Sequence, residues 1–123
     1  MSTPTNLDPV REKLATETGL VEVVTLRASG NPLIAVVNAG VMRHPNGSRD
    51  VVAFISVGHA VKLQHLRARP QITLAARRGW DWIAVDGTAE LAGPNDPHPD
   101  VPADAVPGLL RAIFTAAGGT HDD

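Results

Sequence analysis

Runs of β-branched and other apolar residues, separated by short polar turns, dominate the first half of the chain. Two of these runs are Leu20–Arg27 (LVEVVTLR) and Pro32–Met42 (PLIAVVNAGVM), and the Ser-Gly-Asn sequence at 29–31 between them is typical of a turn. An Asn-Gly pair in the next polar stretch, His44–Arg49, predicts a second reversal before the apolar run Val51–Val57. The pattern therefore predicts an antiparallel meander of three strands.

Three other segments have the apolar spacing of helices. The first begins with an Asp-Pro pair at Asp8 and ends at Gly19. A second, short and basic, begins just after Gly58 and is stopped by Pro70. The third is predicted to be capped by Asp104, and its apolar stripe ends at the glycine pair 118–119. We expect these helices to flank the sheet.

The region between the second and third helices adds two strands and a loop. Gln71–Arg77 and Trp80–Leu91 are the two strands, and Gly87 predicts a bend in the second of them. Gly93–Pro107 contains five prolines and is predicted to be a loop. Five antiparallel strands with flanking helices favour a small, mainly β barrel, which we expect to form a single domain over residues 1–123.

Composition narrows the classes of function. The net charge of −2 gives no electrostatic support for nucleic-acid binding, which normally needs a strong positive excess. The chain has no cysteine, so disulfides, thiolate nucleophiles and Cys-ligated metals are excluded. Neither a signal peptide nor an apolar run of membrane-spanning length is present in the sequence, and we expect a soluble protein of the cytoplasm.

The most informative chemistry lies where the third strand meets the second helix. Ser56, Gly58, His59 and Lys62 place a hydroxyl, backbone N–H groups and a cation near one helix start, which suits a phosphate. The alternative is a plain strand-to-helix connection with a solvated basic face. For His59 the alternatives are an additional phosphate donor and an exposed residue of the first helical turn.

Other catalytic or ligand-binding motifs are absent from the sequence. There is no GxGxxG or Walker glycine loop, and no serine lies in a nucleophile elbow. The histidines show no metal-ligand spacing, so no metal site is predicted. The five histidines are His44, His59, His65, His98 and His121.

Small residues and tryptophans mark two further places where a ligand could lie. Asn38, Ala39 and Gly40 interrupt an apolar strand, so either a flat ring packs against exposed backbone there or the strand has a bulge. Trp80 and Trp82 are two residues apart and therefore face the same side of their strand. They could wall a pocket or a subunit interface, or pack in the core.

Several segments together resemble one protein family. The chain is similar to the flavin and deazaflavin oxidoreductases of the pyridoxamine 5′-phosphate oxidase-like, FMN-binding split-barrel superfamily, and most of all to its F420-dependent branch. The resemblance covers about residues 8–123. It rests on GNPLIAVVNAG, VVAFISVGHAVKLQHLRARP, QITLAA, GWDWIAVDGTAELAGP and the final AAGGTHDD.

The resemblance implies a six-stranded antiparallel split β-barrel that forms a homodimer, with FMN or F420 bound at the dimer interface. By position, Lys62 matches the phosphate-binding lysine of the family, and Ser56 and Val57 lie at the strand end that contacts the phosphate. Val37, Asn38 and Ala39 would line the cofactor ring.

Two features depart from the family pattern. Family members usually carry an arginine one or two residues before the lysine, whereas this chain has Ala60 and Val61, and His59 is the nearest substitute. Relatives also continue through a further helix and strand beyond the segment that ends here at Asp123. We therefore expect either a barrel that lacks its last strand or one that is completed differently.

The resemblance implies F420-dependent hydride transfer to a small unsaturated organic substrate. Lys62, Ser56 and His59 would hold the phosphate, Asn38 would orient the ring, and Trp80 would shape the pocket. No side chain is nominated as catalytic, because the cofactor supplies the chemistry. The alternatives are an FMN-dependent oxidoreductase and a non-catalytic module that binds flavin or haem.

Overall fold

The computed structural model describes residues 6–16 and 19–118, and these form a curled sheet with helices against it. The helices and strands in chain order are α1 (Asp8–Thr16), β1 (Leu20–Leu26), β2 (Pro32–Arg43), β3 (Asp50–Phe54), α2 (Val61–Ala68), β4 (Gln71–Arg78), β5 (Asp81–Thr88), a short 3₁₀ turn (Ala103–Ala105) and α3 (Val106–Ala116). Of the helices in the described part, none combines the length and apolar character that crossing a bilayer requires.

All strands pair antiparallel, in the order β3-β2-β1-β4-β5. The central strand is β1, where Val23 lies opposite Ala35 of β2 on one side and Leu74 of β4 on the other. In the described residues β3 and β5 are the two edges of the sheet. The mainly β class is therefore confirmed, and five strands in a curled half-barrel are consistent with a split barrel that lacks a strand.

The core lies on the concave, inner face of the sheet. Helix α1 contributes Val10 and Leu14, which share one face because they are four residues apart, and α2 contributes Leu66. Each side chain removed from water stabilises the fold by about 1.5–3 kcal/mol for the larger aliphatic residues. The buried cluster comprises Leu7, Val10, Leu14, Val21, Val23, Ala39, Leu66, Ile72, Leu74 and Ala76.

Helix α3 packs closely on β2 where that strand carries Gly40. A Cβ placed on Gly40 would lie 2.2 Å from the carbonyl carbon of Ala116, so only glycine allows this approach. Gly19, with φ of +80°, touches the same end of the helix, and a Cβ there would lie 2.5 Å from the Ala117 carbonyl oxygen. The space above Gly40, where a ring or a bulge was the sequence interpretation, is filled by α3.

Several predicted boundaries shift by a few residues. Strand β3 ends at Phe54 and not Val57, because the Val57 carbonyl accepts the Ala60 N–H at 3.0 Å and the chain turns. Helix α2 consequently begins three residues after Gly58. The prediction that Asp104 caps the last helix is wrong, because Asp104 lies in the 3₁₀ turn and the N-cap of α3 is the next residue, Ala105.

Candidate functional site

The junction between β3 and α2 is open in the way that an anion site requires. Ala60, the N-cap of α2, is extended and makes no side-chain capping bond. The first-turn N–H groups of a helix lack the usual intrahelical partners; here the N-cap side chain caps none of them, and the Leu63 N–H donates to the Ala60 carbonyl at 3.1 Å. Beside them Gly58 faces open space, since a Cβ built on it would meet no atom within 4 Å. A ligand can therefore approach the backbone at this corner.

The structure brings the predicted phosphate residues to this junction with different exposures. Val57 and His59 are exposed, and Lys62 is partly exposed without a hydrogen bond or ion pair in the described part of the chain. The Ser56 hydroxyl has a different environment. Its Oγ is buried, lines the interior cavity and has no hydrogen-bond partner among the described residues.

The residues predicted to line a cofactor ring lie next to this junction on β2. Ala39 pairs with Phe54, the last residue of β3, so positions 37–39 run beside the chain that leads into α2. Only the Asn38 side chain is exposed. Val37 packs against the core, and Ala39 is fully buried with its N–H donated to the Gly19 carbonyl at 2.7 Å. Asn38 is thus the side chain available to a ring here.

Trp80 lies in a different part of the molecule. It is fully exposed in the turn between β4 and β5, and β1 separates these strands from β2 in the sheet. The structure therefore does not bring Trp80 together with Lys62 and Asn38 in one copy of the chain. Trp82 is also exposed and so does not serve as core packing.

A second cation reaches the junction from the end of α2. Arg67 donates from Nη2 to the Gly58 carbonyl at 2.9 Å and forms a two-pronged pair with Asp96, at 2.8 Å from Nε and 2.7 Å from Nη2. The hydrogen bond between them raises the pKa of Arg67 and lowers the pKa of Asp96. Sequence reasoning missed Arg67 because its partner lies in the distant proline-rich loop.

A cavity of about 240 Å³ lies between β3, α2, α3 and the chain after β5. Its wall is mainly apolar, and Ser56 is one of the polar residues on it. The principal apolar residues of the wall are Met42, Phe54, Leu63, Leu66, Leu109, Leu110 and Ile113. Pockets of this kind, apolar with a few polar groups, are typical of small-molecule sites, although most are larger.

Two histidines and a glutamate meet at this cavity. His44 Nε2 lies 3.1 Å and His98 Nε2 lies 2.6 Å from the same Glu90 oxygen, Oε1, while Arg49 contacts Oε2 at 2.7 Å. Hydrogen bonds from His98 and then His44 lower the pKa of Glu90. The carboxylate is therefore held ionised by three side chains from two other segments.

The same local motif orients both rings. In His44-Pro45-Asn46 the Asn46 N–H donates to His44 Nδ1 at 3.1 Å, and the Asp100 N–H donates to His98 Nδ1 at 3.0 Å in the matching His-Pro-Asp segment. With Nδ1 accepting, a neutral ring carries its proton on Nε2 and donates it to Glu90. The motif thus aims both Nε2 atoms at one point.

This cluster was not foreseen from the sequence, which gave no metal-ligand spacing for the five histidines. The repeated His-Pro-Asx segments were the available signal, but their meeting depends on how the loop after β5 folds back. His59 is exposed at the α2 junction, and His65 instead contacts the Thr25 hydroxyl at 3.0 Å. His121 lies outside the described residues.

Comparison with known proteins gives the fold alone. Neither a protein-family model nor a curated protein matches the chain. Three solved structures are similar: HutZ, the haem storage protein of Vibrio cholerae (12% identity, TM-score 0.55), a haem-binding protein of Mycobacterium smegmatis (17%, 0.57) and Atu2129 of Agrobacterium tumefaciens, of unknown function (17%, 0.54). The matches cover 93%, 94% and 88% of this chain, in the same order.

The chain spans 75% of the HutZ chain and less than half of the other two, 45% and 46%. At these identities the similarity extends to the arrangement of strands and helices. The chain therefore shares with these proteins its overall fold, a curled antiparallel sheet with flanking helices that is consistent with a split barrel lacking a strand.

Proposed function

We propose that the chain binds a phosphorylated deazaflavin cofactor at the β3-α2 junction and acts as an F420-dependent oxidoreductase on a small unsaturated organic molecule. The observation that carries this proposal is the uncapped start of α2, open at Gly58, with Lys62 on its first turn and without an ion pair to any described residue. A helix start and a cation together form a site for a phosphate group. FMN is the alternative cofactor for the same corner.

Within this proposal each residue has a distinct task. Lys62 supplies charge for the phosphate, and the exposed His59 adds a donor beside it. Arg67 holds the Gly58 carbonyl at 2.9 Å and so fixes the turn that presents the backbone. Ser56 and Val57 contribute backbone at the strand end, while Asn38 orients the ring. The bound cofactor supplies the hydride, and these residues position it.

We further propose that the protein is a homodimer through the outer face of the sheet. Ile34 and Val36 on β2 are 60% and 65% exposed, and Trp82 on β5 is 69% exposed. Apolar side chains spread over one open sheet face indicate an interaction surface. A second copy would also be needed for Trp80 to serve as a pocket wall, because its own turn is remote from the junction. We expect this dimer to be cytoplasmic.

Haem binding without catalysis is the second candidate function. It is favoured because two of the three similar structures are described as a haem storage protein and a haem-binding protein. In this chain His59 is an exposed histidine at the proposed cofactor corner and could provide a ligand for haem iron. The cavity of about 240 Å³ is smaller than the usual range of small-molecule pockets, so haem would also lie at the β3-α2 junction.

Titration with three ligands tests these candidates. F420 and FMN are followed by quenching of their fluorescence, and haem by its absorbance, with the purified full chain at fixed salt. The proposal predicts tight binding of F420 and competition between F420 and FMN for one site per protomer. Reduced F420 should then be oxidised in the presence of an unsaturated acceptor.

The outcomes separate the candidates. Tight haem binding with no affinity for F420 would favour the storage or binding role. Tight FMN binding that F420 cannot displace would favour the flavin enzyme. If none of the three ligands binds, the assignment of a cofactor site to the junction is wrong.

A further inference from the structure

We propose that His44, Glu90 and His98 form a binding site for a divalent first-row transition metal ion, of which Zn²⁺ is the representative. The three ligand atoms lie within 4.8 Å of one another. Both Nε2 atoms point at the same carboxylate oxygen, at 3.1 Å from His44 and 2.6 Å from His98. An ion between these three atoms would replace the two hydrogen bonds to Glu90 and would have both Nε2 atoms and the carboxylate oxygen as ligands.

The donor set is that of a zinc site with an open position. Two imidazole nitrogens and one carboxylate oxygen are a known three-ligand set for catalytic zinc, with water or substrate in the fourth place. Imidazole selects zinc and its neighbours over Mg²⁺ or Ca²⁺, which prefer oxygen ligands. His44 is only 6% exposed, so its ring is fixed by the surrounding protein.

The supporting contacts hold the ligands in place. Arg49 binds the other Glu90 oxygen, Oε2, at 2.7 Å, which leaves Oε1 as the atom directed toward the histidines. Pro45 and Pro99 follow the two histidines and restrict the backbone beside each. Hydrogen bonds to the ligands of a metal ion orient those ligands, and the loss of such a bond typically weakens metal binding by about 10–100-fold.

Metal binding at this site must be coupled to a tautomer change. An ion at Nε2 uses the lone pair of that atom, so the ring proton must move to Nδ1. Nδ1 then no longer accepts the Asn46 and Asp100 N–H groups, and these two amides must turn aside. Both residues are exposed, so the turns can relax. The proposal therefore includes a shift from Nε2–H to Nδ1–H at two histidines.

The proposed metal site lies on the wall of the cavity. All three residues line the interior cavity, whose wall is otherwise mainly apolar. An ion held there would stand beside a chamber large enough for a small molecule, separate from the α2 junction. The inference thus does not depend on which cofactor binds at that junction.

Cobalt spectroscopy on the full chain without a polyhistidine tag tests the proposal. We expect one Co²⁺ per chain, with the intense visible bands of four-coordinate Co²⁺, displaced by one equivalent of Zn²⁺. His98→Ala and Glu90→Gln should each weaken Zn²⁺ binding by at least about 10–100-fold. His59→Ala, which removes an exposed histidine elsewhere, is the matched control and should bind Zn²⁺ like the unaltered chain.

Nitrogen-15 NMR of the histidine side chains keeps the test decisive if a variant does not fold. In the unaltered chain, Zn²⁺ should convert two rings from the Nε2–H to the Nδ1–H tautomer and leave the others unchanged. Weak six-coordinate Co²⁺ spectra, equal Zn²⁺ affinity in Glu90→Gln, or unchanged tautomers would each overturn the proposal. The cluster would then only join, by hydrogen bonds, the turn between β2 and β3 to the proline-rich loop after β5.

Discussion

Both faces of the sheet carry apolar side chains, but these side chains have very different surroundings. On the inner face, Val21 and Val23 of β1 are buried under α1 and α2. On the outer face, Ile34 and Val36 of the neighbouring strand remain mostly exposed. The difference shows that α1 and α2 cover the inner side of the sheet, whereas on the outer side α3 covers β2 at Gly40 and leaves Ile34 and Val36 open. The proposed dimer depends on these exposed apolar residues of the outer side.

The first prediction concerns the part of β2 that α3 covers and has the largest expected effect. Gly40→Ala should destabilise the fold by about 3–5 kcal/mol, because its Cβ would lie 2.2 Å from the backbone of Ala116. Strand β2 and α3 would have to separate. Chemical denaturation measures the change.

Gly87→Ala is the matched control for that experiment. Gly87 lies in β5, and a Cβ there would meet no atom within 4 Å. Its stability should stay within about 0.5 kcal/mol of the unaltered chain or rise slightly, since alanine suits a strand better than glycine. Equal stability of the two variants would mean that α3 does not pack on β2 as described.

The second prediction concerns the open side. Val36→Lys should weaken the proposed dimer by about 3 kcal/mol, or more than 100-fold, because a charged side chain would replace an apolar contact and lose its hydration between the copies. The single chain should tolerate lysine, since Val36 is 65% exposed and lies opposite Glu22. Analytical ultracentrifugation measures the dissociation constant.

Ser29→Lys adds the same charge in the turn between β1 and β2 and is the control. It should leave association unchanged. If the unaltered chain is monomeric at all concentrations, the dimer proposal fails, and the outer face then needs another explanation.

The third prediction concerns the corner between β3 and α2. Lys62→Ala should weaken F420 binding by about 1.5–3 kcal/mol, the scale of a charge-assisted contact. Arg43→Ala removes one positive charge at the opposite end of β3, where Arg43 pairs with Asp50, and should have little effect. Fluorescence titration gives both affinities. Equal affinity of the two variants would place the phosphate elsewhere.

The fourth and smallest predicted effect is a dependence of the stability of the fold on pH, which arises at helix α2. Arg67 on α2 lowers the pKa of Asp96, so the folded state holds this carboxylate ionised more strongly than the unfolded chain does. The stabilisation that this pair contributes is complete above the pKa of an aspartate in the unfolded chain, about 3.9. It is lost as the pH falls below that value and through the lower pKa of the folded state. Melting temperatures from pH 6 to pH 2.5 measure it.

Asp96→Asn should reduce the fall in stability at the acid end of that series. The exposed carboxylate Asp104, changed to Asn, is the control and should leave the slope as it is in the unaltered chain. Identical slopes for the unaltered chain and Asp96→Asn would show that the pair with Arg67 contributes nothing.

Several parts of the molecule follow from local sequence. Turn glycines such as Gly30 and Gly47 adopt positive φ, at +89° and +76°, and they fix the hairpins between β-branched runs. The apolar spacing of α1 and the proline after α2 likewise have local causes. These features depend on residues within a few positions, so the strands, the helices and the meander were predictable.

The candidate sites also differ in whether their residues are close together in the sequence. The junction at Lys62 is continuous in sequence and could be recognised from it. The pair of Arg67 with Asp96 joins residues 29 positions apart, and the meeting of Glu90 with His44 spans 46. Such contacts require the proline-rich loop to fold back over the half-barrel, and no periodicity encodes that path.

By itself, the sequence determined a mainly β chain with a strand-turn-helix corner that carries Lys62, because apolar period, turn residues and helix stops act over short range. Only the tertiary structure decided which face of each strand is covered, that α3 fills the space above Gly40, and that two histidines share one carboxylate oxygen. Those outcomes depend on how distant segments pack against one another. Local sequence preferences allow several such arrangements, and close packing and hydrogen-bond geometry select one of them.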